Sequence, residues 1–159
     1  MTDQLVIGLA ASQIVFSFGN TTYVSRRIEG NFPNFRQLLP ASCNTTVKID
    51  AGHLAQALRR VSVIATSNPS VRFDIDAEGS LLKLSASSPD QGESTELIDV
   101  EVEGDSMAIA LNYHYVLDCV SASAQDKEVS FELLSSMQPA VFKSYAGINY
   151  LYLLMPVRM

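Results

Sequence analysis

The chain has 159 residues, of which 47% are hydrophobic and 18% charged, and a formal net charge of -6. That length and apolar content suffice for one good core and part of a second, which excludes a disordered chain. The acidic balance argues against a surface devoted wholly to nucleic acid while leaving room for a local basic face, and no run approaches the roughly 20 apolar residues of a membrane span.

Met1-Thr2-Asp3-Gln4 carries neither a basic nor an apolar leader pattern, so a cytoplasmic location and no membrane partner are expected. Val6 to Ala10, Ile14 to Phe18 and Thr22 to Ile28 have strand composition, with Gly19-Asn20 as the turn between the last two. Three strands make a poor domain unless something packs on their apolar face. The following segment, Glu29 to Pro40, is bracketed by Pro33 and Pro40 and holds no helix long enough to do so. It reads as an ordered linker or one short helical turn carrying Phe32, Phe35, Leu38 and Leu39 into contact. Residues 1–39 therefore look like the end of a domain whose beginning is missing, and residues 40–159 like a complete one.

From Ala41 the pattern is regular. Thr45 to Ile49 is a strand and Asp50 an N-cap; the helix it opens runs to about Thr66, with Leu54, Leu58, Val61 and Ala65 on one stripe. Strands are predicted at Val71 to Ile75, Leu81 to Ala86 and Thr95 to Val102. Then the order repeats: a strand at Met107 to Leu111, a helix capped by Asn112 and ending near Ala122, and strands at Glu128 to Leu133, Ala140 to Ser144 and Tyr150 to Met155. A β-α-β-β-β unit thus occurs twice. Neither copy covers its own helix, so the expected fold is α+β, with two helices packed on antiparallel sheet about a pseudo-twofold axis.

The last stretch is an apolar strand followed by a proline and a cation, whereas untethered ends are usually polar. Pro156 has no N–H for a sheet ladder and halts the strand, so Val157, Arg158 and Met159 leave the sheet and lie on a surface. One account is a core strand with a short tail. The other makes Leu153 to Met159 a wall of an apolar groove, in which methionine lines an adaptable site.

Signs of chemistry are few. His53 and His114 follow helix starts without a ligand pattern, and no phosphate loop or nucleophile elbow occurs, so no enzyme, metal or cofactor is expected. Asp99/Glu101 and Glu93/Glu96 could imitate an acid–base pair but read as solvated carboxylates. Cys43 and Cys119, distant and without C-x-x-C spacing, both read as buried small apolar residues.

Ile28 to Phe35 with Leu39-Pro40, Asn112-Tyr113-His114-Tyr115-Val116-Leu117-Asp118, and Tyr152 to Met159 resemble the bacterial DNA polymerase III beta subunit, the sliding clamp. The resemblance covers the whole chain in order and implies the end of the family's middle domain followed by its C-terminal domain, without the first domain and most of the second. It implies a non-enzymatic processivity factor that as a full-length homodimer rings duplex DNA without reading sequence. It also implies a groove that takes short apolar motifs of the DNA polymerase III catalytic subunit, the clamp loader and repair proteins. The lining carried over is Pro33, Gln37 and Leu38, then Asn112 and Tyr115, then Met137 and Pro139, and finally Leu153, Leu154, Met155, Pro156, Val157 and Arg158. Gln37 stands where the family often has arginine, and the loop Ser67 to Ser70 is shorter where the family carries an aromatic wall. DNA contact is expected from Arg59 and Arg60, which with Gln56 and Val63 lie opposite the apolar stripe and would meet phosphates only. A ring interface is expected at Val63 and Ile64, flanked by Glu93 and Glu96. The competing expectation is a free-standing peptide-binding adaptor, which would share the groove but remain a monomer that never encircles DNA.

Overall fold

A computed structural model describes residues 4–65, 68–123, 127–145 and 149–158, and the chain divides between Asn34 and Phe35 into two units. In the first, β1 (Val6–Leu9), β2 (Gln13–Phe18) and β3 (Thr21–Arg26) form an antiparallel sheet in that order. Gly19, at φ 53°, supplies the left-handed residue of the β2–β3 turn. The Arg27 guanidinium donates to the Ala10 carbonyl at 2.8 Å and ties the sheet's end. Phe16 and Tyr23 meet across β2 and β3, yet no described residue of this unit is buried and Leu9 is 73% exposed. The sheet has no core of its own, as a bare three-stranded sheet cannot.

The second unit begins with a 3-10 turn, Phe35–Gln37, and then gives both repeats. The first copy is β4 (Thr45–Asp50), α1 (Ala51–Val61), β5 (Ser70–Asp76), β6 (Leu81–Ser88) and β7 (Gly92–Asp99); the short β8 (Glu101–Gly104) follows it. The second is β9 (Met107–Asn112), α2 (Tyr113–Ala122), β10 (Glu128–Leu133), β11 (Ala140–Ser144) and β12 (Tyr150–Leu154). The copies exchange their first strands. One sheet has the order β12-β11-β10-β4-β8 and the other β7-β6-β5-β9, all pairs antiparallel. Each helix therefore leaves from one sheet and returns to the other, and the fold is α+β with two helices on antiparallel sheet, as expected. A cluster of buried side chains joins the helices to both sheets, and in it Leu54, Leu58 and Val61 of α1 are grouped with Phe73, Leu82, Leu84 and Phe131. No helix among the described residues is long and apolar enough to cross a membrane.

Three expectations need correction. The first helix stops at Val61, and Ser62–Ile64 form a 3-10 turn. There the Ser62 hydroxyl donates to the Arg59 carbonyl at 3.3 Å, which competes with the helical ladder; Thr66 and Ser67 lie outside the described residues. The strand expected at Thr95 to Val102 is two strands in different sheets: Val100 donates its N–H to Ser80 at 3.0 Å, and the chain then passes to β4. Ile98 and Val100 are buried and Val102 half-buried, so the period-two pattern runs unbroken through the change of sheet and hides it. Cys43 is exposed, its sulfur 3.5 Å from the Thr46 hydroxyl, whereas Cys119 is buried.

Candidate functional site

The site is built around the end of β12 and the start of α2. Asn112 takes the extended conformation of an N-cap, and its side-chain oxygen accepts the His114 N–H at 3.0 Å. Tyr113 donates its N–H to the Pro69 carbonyl at 3.0 Å, which fixes the helix start against the loop before β5. Val116, Cys119 and Val120 then face the core and leave Tyr115 half in solvent.

The helix packs on β12 through tyrosines. Tyr150 and Tyr152 stack with centroids 6.0 Å apart. Burial pushes the Tyr150 hydroxyl up to about 12, helped by its neighbour Cys119, and burial likewise pushes the Cys119 thiol up to about 12 against the lowering effect of its hydrogen bond to Tyr150. Tyr152 is also raised, first by burial and then by Cys119, Asp118 and Tyr115. Between the ordinary value of 10.0 and about 12 the folded chain keeps the Tyr150 proton that an unfolded chain gives up. Stability is thus fully present below the ordinary value and falls as pH rises through this window. Melting temperatures of the unmodified chain should drop across this range, and Tyr150→Phe should flatten that part of the profile. A slope unchanged in the variant would assign the loss to other groups.

In β12, Leu154 is buried against the core, while Leu151 and Leu153 point to the opposite face, where Leu153 lies opposite Val141. Beyond it Met155 is 58% exposed, Pro156 and Val157 are half-buried and Arg158 is exposed. Pro156 ends the ladder, and the Val157 N–H then donates to the Ala110 carbonyl at 2.9 Å, on the open edge of β9. The segment from Met155 to Arg158 thereby crosses from one sheet to the other, alongside the strand that feeds Asn112. The pair Ala140–Leu154 sets the β10–β11 turn beyond the end of β12, so half-buried Pro139 lies on the Met155 side and Met137, 71% exposed, stands at the turn's tip. A cavity of about 380 Å³ runs from Leu39 and Cys43 to Val141 and Leu151. Leu38, 43% exposed, precedes it and donates its N–H to Phe35 at 3.0 Å, and Gln37 is exposed in the same turn. Leu39 was expected to make a contact, whereas Val141 and Leu151 were not singled out from sequence, although the period of two that places Leu153 outward places Leu151 there as well. Pro33 belongs to the first unit and is exposed. Met159 lies outside the described residues.

On α1, Gln56, Arg59 and Arg60 face solvent, but the two arginines differ. Arg60 donates to both carboxylate oxygens of Glu96 on β7, at 2.8 and 2.9 Å, and this hydrogen bonding holds the Glu96 carboxyl below its usual value. Arg59 has no carboxylate partner among the described residues. Val63 is 68% exposed, whereas Ile64 is half-buried against the core; Glu93 is exposed on β7. Among the described residues no group of three or more His, Cys, Asp or Glu side chains is placed to hold a metal.

Residues 36–158 match the family model described as the DNA polymerase III beta subunit, C-terminal domain. The chain belongs to the DNA polymerase III beta subunit family. The relatives are consistent with this placement in the beta subunit family: the beta sliding clamp of a Synechocystis strain is 32% identical over 159 residues, covering 99% of this chain and 40% of the relative. The beta sliding clamp of Staphylococcus aureus is 29% identical over 157 residues, covering 98% of this chain and 41% of the relative. Among solved structures, the DNA polymerase III beta subunit of Pseudomonas aeruginosa superposes with a TM-score of 0.85 at 26% identity, covering 99% of this chain and 43% of that one. The Bartonella birtlesii sliding clamp, solved bound to griselimycin, gives a TM-score of 0.83 at 26% identity, with 98% and 41% covered. The chain therefore spans about two fifths of the length of these beta subunits.

Proposed function

We propose that this chain serves as the C-terminal part of a DNA sliding clamp, which encircles duplex DNA and tethers the replicative polymerase, the clamp loader and repair proteins without chemistry of its own. The observation that carries the proposal is the course of Met155 to Arg158, anchored at Ala110 and beside the turn that carries Met137 and Pro139, in a chain of the beta subunit family. Leu153 and Met155 give such a site apolar wall, worth about 25 cal/mol per Å² removed from water. Pro156 fixes the backbone beside it. Phosphate contact falls chiefly to Arg59, because Arg60 is held by Glu96. Arg59 is then the one arginine on α1 without a carboxylate partner among the described residues, and α2 carries no lysine or arginine, a sparse charge that suits a contact that slides.

The test is calorimetry with a short apolar clamp-binding peptide. Met155→Ala should weaken binding by about 1–3 kcal/mol, the range for trimming an apolar anchor. An unchanged affinity in a folded variant would remove Met155 from the site.

A further inference from the structure

The face of the β7-β6-β5-β9 sheet turned away from α1 holds a depression of about 440 Å³ that the apolar groove does not account for. Its floor follows from register. Arg72 pairs with Ala110 on one side and Ser85 on the other, and Ser85 pairs with Thr95, so these four side chains form one row across four strands. Lys83, opposite Asp74 and Leu97, stands in the next row. Because Val157 is bonded to Ala110, the residue opposite Arg72, the chain delivers Arg158 to the same depression.

Three cations thus border a small polar hollow in a chain whose net charge is -6. Two acidic groups face it. Asp74 accepts from Arg72 at 2.7 Å and holds that guanidinium over the floor, and Glu93 lies on the rim. Lys83 and Arg158 have no carboxylate within ion-pair distance among the described residues. Serine and threonine hydroxyls, Asn68 and Ala86 complete the lining, so donors outnumber acceptor charges, the composition that receives a carboxylate. Duplex DNA on the exposed face of α1 is on the opposite side: Val71, Phe73, Leu82 and Leu84, which alternate with the lining residues, point into the core beneath that helix.

We propose that this depression is a second recognition point, which takes an acidic residue flanking the apolar motif of a partner peptide bound along Leu153 to Arg158. The inference rests on the peptide-binding function proposed above and specifies which motifs it prefers. Arg158 joins the two, since it ends the segment that borders the apolar site and lines the polar one.

The experiment uses the full chain and matched synthetic peptides: one apolar motif carrying a two-aspartate extension, before it or after it, and the same peptides with asparagine. At low salt one of the two aspartate peptides should bind roughly 3- to 10-fold tighter than its asparagine twin, the range expected of exposed charge pairs acting together. That ratio should shrink in high salt, fall toward one in Lys83→Gln and drop below one in Lys83→Glu. Equal affinities for aspartate and asparagine peptides, with the apolar motif still binding, would overturn this inference and leave the groove standing. A preference that survives Lys83→Glu would also overturn it. Failure of every peptide to bind would sink the groove and this inference together.

Discussion

Phe131→Ala is expected to lower the free energy of unfolding by about 3–5 kcal/mol, the cost of deleting a large buried aromatic and leaving the space unfilled. Phe131 is fully buried on β10, stacked on Phe142 of β11 with centroids 4.4 Å apart and planes 14° apart. It also reaches Phe73 of β5, in the other sheet, at 5.9 Å and 58°. The side chain therefore joins the two sheets that the repeats build by exchanging strands, and neither sheet can move toward the void without leaving its helix. Denaturant titration reads the effect as a lower midpoint at nearly constant slope. A loss below about 1 kcal/mol, the scale of a surface change, would mean that the junction repacks freely and that Phe131 does not organise it.

Gly104→Ala should cost about 3 kcal/mol or more, although only one methyl group is added. Gly104 has φ 111°, where an L side chain is strained, and an added Cβ would fall on the Asn44 carbonyl oxygen with the Thr45 Cα only 3.0 Å away. Strain of about 1–3 kcal/mol at such a φ is thus compounded by a clash with backbone, which cannot rotate aside. The surroundings are fixed as well. Gly104 lies opposite Thr45, which is buried and donates its hydroxyl to the Asp105 carbonyl at 2.7 Å. Gly92 supplies the control, since it has φ 87° but open space around it. Gly92→Ala should show strain alone, so the difference between the two melting curves isolates the collision. Equal losses would place the whole effect in φ and none in the approach of β8 to β4.

Much of the candidate site was legible because it is made of contiguous residues. Pro156 cannot continue a ladder wherever it sits, and an apolar strand ending in Met155 has to bury or offer its side chains. Which surface receives the segment was not legible. The acceptor for Val157 is the Ala110 carbonyl, and a backbone carbonyl on a strand edge leaves no mark in side-chain composition. The same reason hid the passage from β7 to β8. The pairing of Arg60 with Glu96 joins α1 to β7 across 36 positions in sequence, so an arginine that read as available for phosphate proves to be held. Cys43 shows the converse: its type suggested burial, and its place ahead of β4 leaves it in solvent.

The sequence by itself determined most of the elements, the duplication and the family, but not the end of α1 or the break between β7 and β8. Periodicity and caps act within one turn or one strand, as Asp50 and Asn112 do when they accept the N–H groups of His53 and His114. Only the tertiary structure decided that the repeats trade their first strands, that Met155 to Arg158 bridge the two sheets, and that Arg72, Lys83 and Arg158 border one depression. Local signals are fixed by the chain's own covalent neighbours. Strand order and shared faces depend on backbone hydrogen bonds between distant segments, whose donors and acceptors are alike at every residue except proline.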